Sequence, residues 1–144
     1  MSKSKRLPYK IFKEIYSKVP RLCVDLIIKT KQGIIMSKRN ISPEKGKWHF
    51  PGGTVLFGEK LRQTIKRVSD EETGLKLKVL KIIGAVEYQP PSVHGHVISL
   101  AFWCEPISGQ LRGSQQGKEI KYFKSIPTDT IKEQVVFLEK HKIL

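Results

Sequence analysis

The sequence predicts an α/β fold in which helices cover a mixed β-sheet, an α/β/α sandwich, and three observations carry that expectation. Helical and strand-like segments interleave along the chain, and hairpin signals join some of the strands. No regular strand-helix-strand alternation runs through it, as a wholly parallel sheet would need. A length of 144 residues with 39% apolar content suits one compact domain over 1–144.

The elements follow in order. Ile11, Phe12, Ile15 and Val19 recur at helical spacing before Pro20, which predicts a helix over about 9–19 packed across the domain. Residues 22–28 and 34–38 are β-rich and meet at Gly33, as in a hairpin. Residues 39–48, with Asn40, Ser42, Pro43 and Gly46, read as a loop that leads into the turn Trp48-His49-Phe50-Pro51-Gly52-Gly53, where two glycines permit close backbone approach. A helix is expected over 59–73 with Gly74 as its C-terminal cap, then a strand over 77–87. Pro90, Pro91 and Ser92 mark a loop over 89–95, and 97–104 mixes aromatic and β-branched residues as strands do. Residues 106–117 read as a loop, 120–123 as a short strand and about 128–141 as a last helix. That helix turns Ile131, Val135, Leu138 and either Val136 or Phe137 inward. No internal repeat or linker is present.

Twenty-seven Lys and Arg against 13 Asp and Glu leave a formal charge of +14, a field that draws anions such as nucleotides, nucleic acid or acidic headgroups. The lysines are spread through nearly every element, as on a solvated basic surface, without the clustered arm of a dedicated nucleic-acid binder. No apolar run approaches the roughly 20 residues that cross a bilayer, and MSKSKRLPYK has no apolar signal core behind it. A soluble, cytoplasmic protein with no membrane partner is expected. Cys23 and Cys104 sit in apolar runs without ligand spacing and are expected as buried reduced thiols.

The chemistry concentrates between Gly53 and Leu75. At 100° per residue, Leu61, Ile65 and Val68 form one stripe, with Glu71 about 60° to one side of Val68 and Glu72 about 40° to the other. Two carboxylates so placed repel and raise each other's pKa, a cost that a divalent cation removes, and oxygen donors with open water positions suit Mg²⁺ or Mn²⁺. Arg67 is close enough in the helix to pair with Asp70 or Glu71 and orient it. Gly52 and Gly53 allow a backbone carbonyl to point inward as a further ligand, and Glu59 stands at the helix N-terminus, where a negative charge is favoured and steadies the loop. Surface ion pairs at a charged helix end are the plainer reading of the same acids.

Gly53, five residues, Glu59, seven residues, Arg67, then Glu71-Glu72, one residue, Gly74 and Leu75 resemble the Nudix box of the Nudix hydrolases. The likeness extends to Ser37-Lys38-Arg39, to GKWHFPGG at 46–53 and to the order of elements. It implies a Nudix-like α/β/α sandwich and Mg²⁺- or Mn²⁺-dependent hydrolysis of a nucleoside diphosphate linked to another group. It also implies metal ligation by Glu71, Glu72 and the Gly52 carbonyl, with Arg67 orienting the acids. The box ordinarily has Glu directly after Arg; this chain has Val68 and then Ser69.

The GDP-mannose mannosyl hydrolases of that family also lack this glutamate. This chain is similar to them in its N-terminal helix, in the Pro20 to Asp25 strand entry and in Lys38-Arg39. The similarity implies a nucleotide sugar such as GDP-mannose as substrate, a homodimer, Asp25 as a nucleotide-sugar contact and Arg39 as a phosphate contact, with Tyr88 placed among the substrate-binding residues. Thr54 and Gln116-Gly117 depart from that subfamily. Gln116 remains a metal-ligand candidate, and Glu119, His94 and His96 are the candidates for a base. The alternative is a catalytically weakened Nudix-like domain that binds nucleotide or RNA, with Phe50, Phe57, Tyr88 and Trp103 offered as stacking faces.

Overall fold

The computed structural model describes residues 6–41, 44–90, 95–114 and 116–144. In chain order its elements are α1 (Tyr9–Tyr16), β1 (Arg21–Thr30), β2 (Gly33–Lys38), β3 (Trp48–His49), β4 (Gly52–Thr54), α2 (Leu61–Glu72), β5 (Leu75–Tyr88), β6 (Val97–Gly109), β7 (Ile120–Phe123) and α3 (Lys132–Lys140).

The seven strands form a mixed sheet of order β3-β2-β1-β6-β5, with β4 paired to β1 and β7 to β2. β1 and β6 run parallel and the other pairs antiparallel. β1 is buried from Cys23 to Ile28, as a strand covered on both faces must be. Its residues divide by the period of two. Cys23 and Ile27 enter the core beneath α3 with Phe137 and Leu138, while Val24, Leu26 and Ile28 enter the core beneath α2 with Ile65 and Val68. The sheet is therefore the middle layer of the sandwich. Ile65 and Val68, 2% and 1% exposed, hold α2 on it, each worth roughly 1.5–3 kcal/mol of burial.

One edge of β1 is shared. Cys23, Val24 and Asp25 pair with β4, whereas Lys29 and Thr30 pair with β2. The glycine turn is held open at this fork, with Leu26 donating its N–H to Pro51 O at 2.8 Å.

Several expectations need correction. α1 ends at Tyr16, and no residue of it is buried; a turn bonded from Lys18 and Val19 to Ile15 O precedes Pro20. α2 begins at Leu61, after Glu59. β6 continues to Gly109 through a stretch read as loop, because Leu77 and Lys76 of β5 pair with Pro106 and Ser108 across a register shift that tolerates the missing proline N–H. α3 begins only at Lys132. A turn at 128–129 leads into a bridge between Thr130 and Trp48, whose N–H meets Asp129 O at 2.6 Å and whose carbonyl accepts from Ile131. Its buried face carries Phe137 rather than Val136, which is 57% exposed. The loop residues Ser42, Pro43, Pro91 and Ser92 lie outside the described residues. Both thiols are buried and free, and no helix among the described residues is long and apolar enough to cross a membrane.

Candidate active site

The site begins at the glycine turn. Gly52 stands opposite Asp25 and Gly53 opposite Val24. Ladder bonds fall at Leu26–Pro51 and at Val55–Leu22, so the antiparallel alternation turns the Gly52 and Thr54 carbonyls away from β1. The Thr54 carbonyl accepts Arg67 Nη2 at 2.8 Å, which leaves the Gly52 carbonyl facing the same side two residues earlier. Position 52 has no room for a side chain, since a Cβ there would lie 2.6 Å from Val24 O and from Asp25 Oδ1. A Cβ at Gly53 would meet Val68 Cγ2 at 3.0 Å, so α2 presses directly on the turn.

Glu59 and Arg67 lock helix to turn. Arg67 Nε donates to Glu59 Oε2 at 2.8 Å and Nη2 to Oε1 at 3.0 Å, a two-pronged pair. Glu59 also accepts from the Leu56 N–H at 2.8 Å and from Thr64 Oγ1 at 3.0 Å. Arg67 above all holds the Glu59 carboxyl down at about 2, and Glu59 in turn raises Arg67.

The three acids at the end of α2 separate. Asp70 turns outward to Lys66 at 3.0 Å and Lys76 at 2.7 Å, and the Lys76 hydrogen bond leads in lowering its pKa. Of the two partners open to Arg67, Glu71 is the one it approaches, at 3.7 Å. Glu71 also takes a hydrogen bond from Arg6 Nη2. Glu72 is half-buried and accepts from Ser114 Oγ at 3.0 Å. Burial raises its pKa, Ser114 opposes the shift, and the neighbouring Glu71 charge adds to it. Arg112 clamps the helix end, donating to Asp70 O at 2.6 Å and Glu71 O at 3.2 Å. Gly74, at φ 73°, closes it in the left-handed region expected of a C-terminal glycine.

Arg67 thus forms a seam between the turn, through Thr54 and Glu59, and the helix end that carries Glu71 and Glu72. Among the described residues no group of three or more His, Cys, Asp or Glu side chains is placed to hold a metal. The donors here are two carboxylates and a main-chain carbonyl, all oxygen. A desolvated glutamate facing a second one is the environment that a cation relieves, so these residues suit Mg²⁺ or Mn²⁺. Val68 lies between the turn and the acids, 1% exposed, and contributes packing only.

The other candidate residues lie elsewhere. Asp25 and Tyr88 come together on the α3 face, 7% and 3% exposed, with the Tyr88 hydroxyl donating to Asp25 Oδ2 at 2.8 Å. Gln134 of α3 donates to that hydroxyl at 2.9 Å and accepts the Phe50 N–H at 2.7 Å. Burial pushes the Asp25 carboxyl up to about 6, and the Tyr88 bond opposes it. Gln116 is exposed, its carbonyl accepting the Asn40 N–H at 2.8 Å; its loop reaches the acids through Ser114 instead. The Glu119 carboxylate lies 3.6 Å from Lys121. His96 is half-buried, and His94 falls outside the described residues. Arg39 is half-buried; desolvation lowers its pKa and the like charge of Arg21 adds to that, while Glu44 opposes it. Arg39 also acts on His49, whose pKa is lowered chiefly by burial. Arg21 and Arg39 therefore form a positive wall near the turn, beside the buried His49. Of the aromatic faces, Phe50 and Tyr88 are core residues, Trp103 is partly buried, and Phe57 is fully exposed.

Sequence reasoning missed Arg6, Arg112 and Ser114, which reach the acids from 65, 41 and 42 residues away, and Gln134, which reaches the turn. No local spacing marks them.

Comparison with known proteins matches the NUDIX domain family over residues 19–142. The chain is 36% identical over 104 residues to an ADP-ribose pyrophosphatase of Methanocaldococcus jannaschii, covering 72% of this chain but 62% of that protein, less than two thirds of its length. It is 31% identical over 125 residues to the low-salt glycan biosynthesis protein Agl8 of Haloferax volcanii, covering 83% and 80% of the two chains. In fold it is similar to a MutT NUDIX hydrolase from Burkholderia pseudomallei, with a TM-score of 0.77 at 23% identity over 85% of this chain and 98% of that one.

Proposed function

Because the chain belongs to the Nudix family, we propose that it is a single-domain hydrolase that uses Mg²⁺ or Mn²⁺ to cleave a nucleoside diphosphate linked to another group. The observation that carries this reading is the seam itself: Arg67 tied to Glu59 and to the Thr54 carbonyl, with Glu71 3.7 Å from it and the half-buried Glu72 next in the helix. Glu71, Glu72 and the Gly52 carbonyl would hold the metal, with Gln116 as a further candidate ligand. The bound ion would neutralise phosphate charge and make water a better nucleophile. Arg67 attracts Glu71 from 3.7 Å, Ser114 holds one oxygen of Glu72, and Arg39 in its positive wall suits the diphosphate.

Val68 supplies no base, and Glu119, 3.6 Å from Lys121, stands with His94 and His96 as a candidate for one. Cleavage at a sugar carbon asks less of a base than attack at phosphorus, which supports a nucleotide sugar such as GDP-mannose as substrate. ADP-ribose is the other leading compound, on the likeness to the pyrophosphatase. Asp25 and Tyr88 enter this reading by shaping the floor under Gly52. A homodimer is expected on the resemblance to the GDP-mannose mannosyl hydrolases, and light scattering would register it as twice the chain mass.

A panel of GDP-mannose, other nucleoside diphosphate sugars, ADP-ribose and nucleoside triphosphates with Mg²⁺ in ¹⁸O-labelled water tests the reading. Label in the sugar marks carbon–oxygen cleavage, and label in phosphate marks attack at phosphorus. No turnover on any of them would sink the hydrolase. A binding domain for nucleotide or RNA is then the remaining reading, supported by the formal charge of +14 and by the fully exposed Phe57 ring.

A further inference from the structure

We infer that Arg6 is a diphosphate-gripping residue of the proposed site, held on Glu71 until a divalent ion and substrate arrive and then turned to the substrate's phosphate oxygens. The inference rests on the reading of Glu71 and Glu72 as metal ligands.

Two guanidiniums face Glu71, and they differ in freedom. Arg67 is fixed by Glu59 and the Thr54 carbonyl, and its side chain is 19% exposed. Arg6 is 62% exposed and reaches Glu71 Oε2 from the segment just before α1. The arm stays close to the site in any case: Arg21 lies over the Phe12 ring at 5.3 Å and donates to Thr54 Oγ1 at 2.7 Å, which ties α1 to the strand that carries Gly52.

A divalent ion on Glu71 and Glu72 would repel the guanidinium. An exposed ion pair of this kind shifts an equilibrium by only about 2- to 5-fold, so Arg6 gives way readily. Once displaced, it stands beside the place where a metal-held diphosphate presents its oxygens. Its planar fork of donors matches those oxygens two at a time.

The test measures two affinities of the full chain: Mn²⁺ alone by electron paramagnetic resonance, and α,β-methylene-ADP with saturating Mn²⁺ by calorimetry. Arg6→Ala is expected to tighten Mn²⁺ about 3-fold and to weaken the analogue about 10-fold. These opposite signs are what a merely structural contact would not give. Arg6→Lys keeps the charge but not the fork, so it should restore the Mn²⁺ affinity and only part of the analogue affinity. Analogue binding unchanged in Arg6→Ala, or both affinities moving in the same direction, overturns the inference. Glu72→Gln separates the two levels of the argument. If Mn²⁺ does not bind, or binds as well without Glu72, the metal reading fails and takes Arg6 with it. If Mn²⁺ needs Glu72 while the analogue ignores Arg6, this inference alone falls.

Discussion

Replacing Glu59 with Gln isolates the charge that locks α2 to the glycine turn. The glutamine keeps an oxygen for the Leu56 N–H but removes the negative charge from Arg67. The Glu59 carboxyl sits at about 2 against an ordinary 4.5. That difference corresponds to roughly 3 kcal/mol at 1.36 kcal/mol per pH unit. The Glu59 side chain is 7% exposed and Arg67 19%, so screening takes a modest share, leaving about 2 kcal/mol. In thermal unfolding this is a loss of about 6 °C. The sign follows from the folded state binding the proton less tightly than the unfolded chain. The contribution is complete above 4.5 and drains away as pH falls through 2. Urea unfolding of both proteins should therefore show the full gap at pH 7 and about half of it at pH 3. A gap of equal size at both pH values, or none at pH 7, would refute the ion pair as the source.

Gly52→Ala forces a Cβ to within 2.6 Å of Val24 O, which is main chain and has no flexible end to move. We expect a loss of about 1–3 kcal/mol by calorimetry and, because β4 must separate from β1 under the proposed metal carbonyl, a parallel fall in Mn²⁺ affinity. Asp25 behaves oppositely to Glu59, since burial raises its pKa to about 6. Its favourable contribution is present below the ordinary 3.8 and lost as pH rises through 6. Asp25→Asn should consequently gain roughly 2 kcal/mol on the wild type between pH 4 and pH 7; parallel stability curves for the two proteins over that range would exclude it.

What was legible in the chain was what is local. Gly53, Glu59, Arg67, Glu71, Glu72 and Gly74 are set by the pitch of one helix and the turn before it, so spacing alone places them on one seam. Helical spacing could not choose between Asp70 and Glu71 as partner of Arg67; Lys76, from the next strand, decides it. The short strands β3 and β4 were hidden because glycine and proline read as breakers, although both pair in the sheet. Pro106 concealed the end of β6 for the same reason. Asp25 and Tyr88 were singled out through family likeness, and the period of two along β1 puts Asp25 on the face opposite α2. That division becomes visible only when both covering helices are in place.

The bond from Phe50 N–H to Gln134 spans 84 residues of chain. Because the partner is a side chain of α3, this bond forms only when α3 has docked on the sheet. The glycine turn should therefore stay loose in a chain whose sheet and α2 have formed but whose α3 has not docked. Ligand binding would then appear as the final event of refolding, after the burial of the strands. It also makes α3, which carries none of the acids, the element whose arrival turns a folded scaffold into a competent one.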